Sequence, residues 1–160
     1  MAQRLLIYSQ HLNRNMAATV MKEGKVQAVI TGCDRVALNG DAANKIGTLG
    51  VAILAKHFEI PFYIAAPTSS IDFTIPNGSR IQIEERPGSE IREMWYEQPM
   101  APEGVQTYNP SFDVTDNSLI SGIITEYGVI RPPYNKTMRE LRKLIKTEEE
   151  QSKKARGKNV

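Results

Sequence analysis

Residues Val26 to Ile30 read Val-Gln-Ala-Val-Ile, an almost unbroken apolar run closed by Thr31. A run that short, bounded by Gly24 and Gly32, is a strand rather than a helix, and the lack of alternation suits a parallel strand covered on both faces. What flanks it narrows the fold further. Asn15 to Glu23 carries Met16, Ala17, Val20 and Met21 at helical spacing, with Gly24 as a stop. After the loop Gly32–Ala43, which holds the turn signal Asn39-Gly40, Ile46, Leu49, Ile53 and Leu54 recur at helical spacing to about Phe58. Pro61 to Ala65 is the next strand. With Leu5–Tyr8 as a first short strand, the order is strand, helix, strand, helix, strand. Short links of this kind make right-handed βαβ crossovers, so the fold class is α/β with a parallel sheet.

The second half is less regular. Pro67 to Gly78 is a Ser/Thr/Pro-rich loop. Arg80 to Glu84 alternates as a half-buried strand with Ile81 and Ile83 on one face. Pro87 to Pro110 holds four prolines and is expected to be irregular. Thr115 or Asp116 caps a helix expected to reach Tyr127, with Leu119, Ile120, Ile123, Ile124 and Tyr127 inward and Gly128 ending it. Pro132-Pro133 breaks the chain before a charged helix from about Lys136.

The chain has 160 residues, 41% of them hydrophobic, enough for one domain with a core. No apolar run approaches a membrane span, and the four-residue run Leu5–Tyr8 is too short for a signal-peptide core. Cys33 is the only cysteine, which excludes an internal disulfide and fits a reducing cytoplasm. The net charge of +2 is unevenly spread. Lys136–Val160 carries nine basic and four acidic residues, a net of +5, which leaves −3 for the rest. The basic tail has no aromatic residue for base stacking, so a solvated helix is the better reading than nucleic-acid binding.

In open parallel sheets, ligands bind beyond the carboxyl ends of the strands. Asp34 stands there, after Gly32, which leaves room for close approach. The loop returns through Asn39-Gly40 into a helix expected to open near Asn44-Lys45. A helix N-terminus attracts phosphate, and Lys45 adds a full charge. Asn44 offers an amide for a hydroxyl or phosphate oxygen. The set suggests a carboxyl group facing a phosphorylated ligand, able to serve as general acid or base. Plainer readings stand beside it. Asp34 could pair with Arg35, Asp41 could be an N-cap, and Lys45 could be solvated. Cys33 is more simply a small packed residue than a reactive thiol. His11 and His57 lie too far apart to suggest a metal site. Glu84-Glu85-Arg86 reads as an ion-paired strand end. No glycine fingerprint for a dinucleotide or a P-loop is present.

The stretch from Gly32 to Thr48, Gly-Cys-Asp-Arg-Val-Ala-Leu-Asn-Gly-Asp-Ala-Ala-Asn-Lys-Ile-Gly-Thr, resembles the signature of methylthioribose-1-phosphate isomerases. Further matches follow in order: Ile60–Pro67, Ser70-Ile71-Asp72, Ile83-Glu84-Glu85-Arg86, Asn109-Pro110, Phe112–Thr115, Ile124-Thr125-Glu126 and Gly128–Pro132. Upstream, Asn15-Met16-Ala17-Ala18 also fits. Ribose-1,5-bisphosphate isomerases and the regulatory subunits of the translation-initiation nucleotide exchange factor share the fold. The resemblance implies a Rossmann-like sheet with helices on both faces and a catalytic domain over residues 15–133. A divergent segment, 1–14, precedes it, and a charged helix or tail, 134–160, follows. It implies conversion of 5-methylthioribose 1-phosphate to 5-methylthioribulose 1-phosphate in methionine salvage, by a cytoplasmic homodimer without metal or organic cofactor. The catalytic aspartate falls on Asp34, and the substrate-binding Asn-Lys pair falls on Asn44 and Lys45. The family's catalytic cysteine and arginine-bearing sugar-phosphate loops belong to a first half that this sequence does not contain. Cys33 takes a place usually held by alanine, and Arg14 one usually held by aspartate. A half-enzyme needing a separate N-terminal half is therefore expected to be inactive alone. The alternative is a non-catalytic module that binds a sugar phosphate or nucleotide, or assembles like the exchange-factor subunits.

Overall fold

The computed structural model describes residues 16–156, so the expected strand Leu5–Tyr8 and the positions of Asn15 and Arg14 lie outside the described residues. The described residues form two four-stranded sheets. The first is built on the parallel strands β1 (Val29–Thr31), β4 (Phe62–Ala65) and β7 (Gly122–Thr125), with β8 (Gly128–Ile130) antiparallel at one side, in the order β1-β4-β7-β8. Helix α1 (Ala17–Lys22) precedes β1, and α2 (Thr48–His57) makes the crossover from β1 to β4. This is the parallel α/β arrangement that the sequence pattern implies.

The second sheet was not foreseen. The stretch expected to be a loop, residues 32–43, forms β2 (Arg35–Ala37) and enters β3 (Ala42–Lys45), an antiparallel hairpin. The turn signal Asn39-Gly40 is its tip. Gly40 N–H donates to the Ala37 carbonyl and Ala37 N–H to the Asp41 carbonyl, with Gly40 at φ +90°. A three-residue loop ending in a left-handed glycine is a standard hairpin closure. Val36 and Ala37 are buried and lie five and six residues past the end of β1. Two-residue spacing in so short a segment is too faint a signal against the surrounding polar residues. Strand β5 (Ile71–Asp72) joins β2 in parallel, and β6 (Phe112–Thr115) joins β3 antiparallel, giving the order β5-β2-β3-β6.

Two other expectations change. The helix expected from Thr115 to Tyr127 is absent: the end of β6, a 3-10 turn at Asn117–Leu119 and β7 occupy that stretch. Ile120, Ile123 and Ile124 match helical spacing, yet β-branched residues around Gly122 suit a strand packed between two others. A Cβ on Gly122 would lie 2.9 Å from Val129 and 3.2 Å from Tyr63, so the neighbouring strands depend on its absence. The expected strand Arg80–Glu84 is also absent. A 3-10 turn covers Gly78–Arg80, and only the single bridge Glu85–Pro110 forms beyond it. Pro87–Pro110 is irregular as expected, apart from the single turn α3 (Ser89–Arg92).

The core lies between the parallel sheet and the helices. Phe62 and Ile64 on β4 and Ile123 on β7 are fully buried, and Ala52 and Ala55 of α2 pack into the same cluster. The last helix, α4 (Tyr134–Arg156), is charged but not merely solvated. Its first turns place Tyr134, Met138 and Leu141 in the core, while Leu144 is exposed. The Tyr134 hydroxyl donates to the Ile120 carbonyl at 2.9 Å. Its ring lies against Gly40, where a Cβ would come within 2.6 Å of it. Among the described residues, no helix is long and apolar enough to cross a membrane.

Candidate functional site

The carboxyl end of β1 leads through Gly32 and Cys33 to Asp34, as the strand pattern requires. Asp34 N–H donates to the Ala43 carbonyl at 2.9 Å, and Arg35 faces the same Ala43 across the hairpin. Two residues of one strand thus oppose one of the other, the arrangement of a β-bulge, which re-aims a side chain. Asp34 is exposed. It is not paired with Arg35, whose guanidinium instead reaches Asp72 at 3.2 Å. The hairpin brings Asp34 to the strand that carries Asn44 and Lys45. The Asn44 side-chain amide donates to Thr48 Oγ1 at 3.0 Å, and that hydroxyl donates to the Lys45 carbonyl at 2.8 Å. The ammonium of Lys45 stands 5.6 Å from the centre of the Phe112 ring, within cation–π range.

Asn44 and Lys45 do not open a helix. They end β3, and α2 begins at Thr48 after Gly47, whose φ of +100° makes the change of direction. The helix terminus is also not vacant. Asp113, opposite Asn44 in the β3–β6 ladder, accepts from Gly47 N–H at 2.7 Å and from Leu49 N–H at 3.1 Å. A protein carboxylate therefore sits on the positive end of α2, the place expected to attract phosphate. Asp113 was overlooked because its partner donors lie far away in sequence. Its only local signal is its place in the Phe-Asp-Val-Thr segment.

Asp41 is neither exposed nor an N-cap. It is 8% exposed and accepts from four donors: the Asn39 side chain (2.8 Å), Gly78 N–H (2.8 Å), and Asn117 through its backbone (2.9 Å) and side chain (2.7 Å). Burial raises its pKa, and the four hydrogen bonds together outweigh that and hold it below the ordinary carboxylate value. One carboxylate thereby ties the hairpin tip to the loops before Ser79 and after Asp116. A Cβ on Gly78 would meet Val114 at 2.5 Å and Asp41 at 3.0 Å, so glycine is what lets that backbone approach.

Cys33 behaves as a packed thiol. It donates to the Arg35 and Ala43 carbonyls at 3.1 and 3.3 Å, and burial pushes its pKa up to about 12. At the ends of β4 and β7, Glu126 accepts from the N–H and hydroxyl of Thr68; the Thr68 hydroxyl, first of these, holds its carboxyl below the usual value. His57 ends α2, and Arg86 pairs with Glu84 (3.9 Å) and Glu90 (3.6 Å). Among the described residues, no group of three or more His, Cys, Asp or Glu side chains is arranged to hold a metal ion.

Residues 9–132 match the family model described as the Initiation factor 2 subunit family. The chain belongs to that family. Within it, the chain is 64% identical over 127 residues to the methylthioribose-1-phosphate isomerase of Symbiobacterium thermophilum, covering 79% of this chain and 35% of that protein. It is 54% identical over 127 residues to the 5-deoxyribose 1-phosphate isomerase of Bacillus anthracis, covering 79% and 36%. In structure it is similar to 5-methylthioribose 1-phosphate isomerase from Pyrococcus horikoshii OT3, with a TM-score of 0.77, 45% identity, and coverage of 82% of this chain and 36% of that one. It is also similar to the translation initiation factor eIF-2B subunit delta from A. fulgidus, with a TM-score of 0.73, 40% identity and coverage of 80% and 38%. The chain thus spans about a third of the length of the curated relatives it matches. The resemblance carried by Gly32–Thr48 and the motifs after it is borne out by these family members. Helix α4 begins at Tyr134, two residues beyond the matched family region.

Proposed function

We propose that this chain supplies the acid-bearing half of an aldose–ketose isomerase acting on a ribose 1-phosphate. The observation that carries this reading is the hairpin that sets Asp34 beside the Asn44-Lys45 strand, in a chain 64% identical to a methylthioribose-1-phosphate isomerase. The substrate class is a ribose 1-phosphate with an uncharged group at carbon 5. 5-Methylthioribose 1-phosphate and 5-deoxyribose 1-phosphate, named by the relatives, both fit it. The phosphate on carbon 1 blocks simple ring opening. In the proposed reaction Asp34 protonates the ring oxygen, the ring opens, and the hydrogen on carbon 2 moves to carbon 1. Asn44 and Lys45 hold the sugar phosphate. The group that handles the carbon-bound hydrogen belongs to a separate N-terminal half. Neither metal nor organic cofactor enters the scheme. The assembly is read as a cytoplasmic homodimer, with methionine salvage as its setting.

A coupled isomerase assay tests this, on the chain alone and with a separately expressed N-terminal half of a related enzyme. The chain alone is expected to be inactive, because losing members of a catalytic set costs orders of magnitude. Addition of the half should give turnover that Asp34→Asn abolishes. Robust turnover by the chain alone, or turnover that survives Asp34→Asn, is incompatible with the assigned division of labour. A non-catalytic role has its own support in the TM-score of 0.73 to an eIF-2B subunit. It predicts no turnover in either arm.

A further inference from the structure

Between Arg35 of β2 and the segment that follows β5 lies a cleft of about 430 Å³, lined by Arg35, Ile75, Arg80, Ile81 and Gln82. Its size is in the range that holds a small ligand. Its chemistry is one-signed: two guanidinium groups, one amide, two isoleucines and no carboxylate. Arg35 spends one N–H on Asp72 at 3.2 Å, and a guanidinium has five. The other oxygen of Asp72 is already taken by the Thr74 N–H (2.9 Å) and hydroxyl (2.6 Å). Arg80 is exposed and makes no ion pair among the described residues.

The walls are fixed rather than incidental. Leu38 N–H holds the Ile75 carbonyl at 2.8 Å, which ties one wall to the hairpin. Ile81 N–H holds the Gly78 carbonyl at 3.1 Å, and Gly78 N–H is in turn held by the buried Asp41 carboxylate at 2.8 Å. The backbone that carries Arg80 is thus anchored through the same staple that anchors the hairpin tip. Paired arginines match the geometry of phosphate oxygens, and two isoleucines beside them offer contact for an uncharged body. The positive end of α2 is already covered by Asp113. At the arginine cleft, by contrast, Asp72 takes one N–H of Arg35, and Arg80 has no ion-pair partner among the described residues.

We propose that the cleft between Arg35 and Arg80 binds the phosphate group of a small phosphorylated molecule. This site stands on its own geometry and goes beyond the isomerase reading, which places the substrate at Asn44 and Lys45.

The test is a site-resolved NMR titration of the full chain with inorganic phosphate, ribose 5-phosphate and uncharged ribose, followed at the backbone amides. Phosphate and ribose 5-phosphate should shift residues 35 and 75–82 with millimolar affinity, and ribose should not. Arg80→Ala should weaken the affinity read at those amides about tenfold, the loss expected of a charge-assisted contact. Arg80→Gln and a circular dichroism spectrum control for folding, since an exposed side chain should be replaceable without loss of structure. Binding of ribose 5-phosphate tighter than phosphate assigns the ligand to the sugar-phosphate class; equal binding assigns it to the free anion. Unmoved amides at 75–82 in wild-type protein, or affinity there that Arg80→Ala leaves intact, would overturn the proposal. Lys45→Ala separates the two sites. Loss of shifts at residues 44–48 alone bears on the isomerase reading and leaves the cleft standing.

Discussion

At the scale of single residues, Asp41 has the largest predictable consequence. Its four donors come from three loops, so replacing it with alanine strands several N–H groups at once. Each buried donor left unpaired costs about 1–3 kcal/mol, and water entering from the open surface beside Asp41, Asn77 and Asp116 relieves part of that. Asp41→Ala is therefore expected to lower the unfolding free energy by about 2–4 kcal/mol in urea denaturation. The effect has a pH signature. The folded-state pKa of Asp41 is depressed, so its contribution is fully present above the unfolded value, about 3.9. It is lost as pH falls from there through the folded value. Asp41→Asn cannot titrate, so the stability gap between it and wild type should narrow as pH drops below about 4. A gap that is constant from pH 7 to pH 3 would mean that the carboxylate charge is not what the donors hold.

At the scale of elements, Asp113 and α4 make distinct predictions. Asp113 accepts from two N–H groups at the start of α2, and loss of such a cap costs about 1–2 kcal/mol. Asp113→Ala should show that loss in thermal unfolding, with Asp113→Asn intermediate; an unchanged melting temperature would mean that α2 starts by other means. Met138 is fully buried on α4, so Met138→Ala should cost about 2–5 kcal/mol by equilibrium unfolding. A cost below 0.5 kcal/mol, typical of a surface change, would mean that the helix is detached in solution. These elements also show where the sequence was legible. The βαβ unit could be read because Val26–Ile30 and the Ile46–Leu54 periodicity each specify one state on their own. The place of Asp34 in the fold followed from it, just past a parallel strand. The hairpin could not be read in the same way. Its strands are three and four residues long, and its pairing is decided by partners as distant as Ile71 and Val114. Misreading β3 as a helix start put phosphate on an end that Asp113 occupies. Ile120–Ile124 misled for a different reason, because isoleucines at that spacing satisfy both periodicities until Gly122 is seen between Tyr63 and Val129.

At the scale of the whole molecule, the irregular stretch between α3 and β6 leaves Trp95 77% exposed and Tyr108 78% exposed, with Met94 and Met100 also out in solvent. Trp, Tyr and Met are enriched in the cores of protein interfaces. That surface is the basis for expecting self-association. Light scattering at high micromolar concentration should report about twice the 17.9 kDa chain mass. A monomer mass under those conditions counts against the homodimer, and Trp95→Ala should shift a dimer toward monomer.

The contact between Gly40 and the ring of Tyr134 has a consequence for the order of synthesis. The turn that closes the hairpin is made early on the ribosome, yet the side chain that covers it emerges after the whole of both sheets. Met138 and Leu141 follow it into the same core. Translation proceeds at about 5–20 residues per second, so α4 takes on the order of seconds to make. Until α4 has emerged, the core residues that Tyr134, Met138 and Leu141 pack against lack that cover. A chain released shortly after Pro133 would have every strand of both sheets and no closed core, a substrate for chaperones and proteases rather than a folded domain.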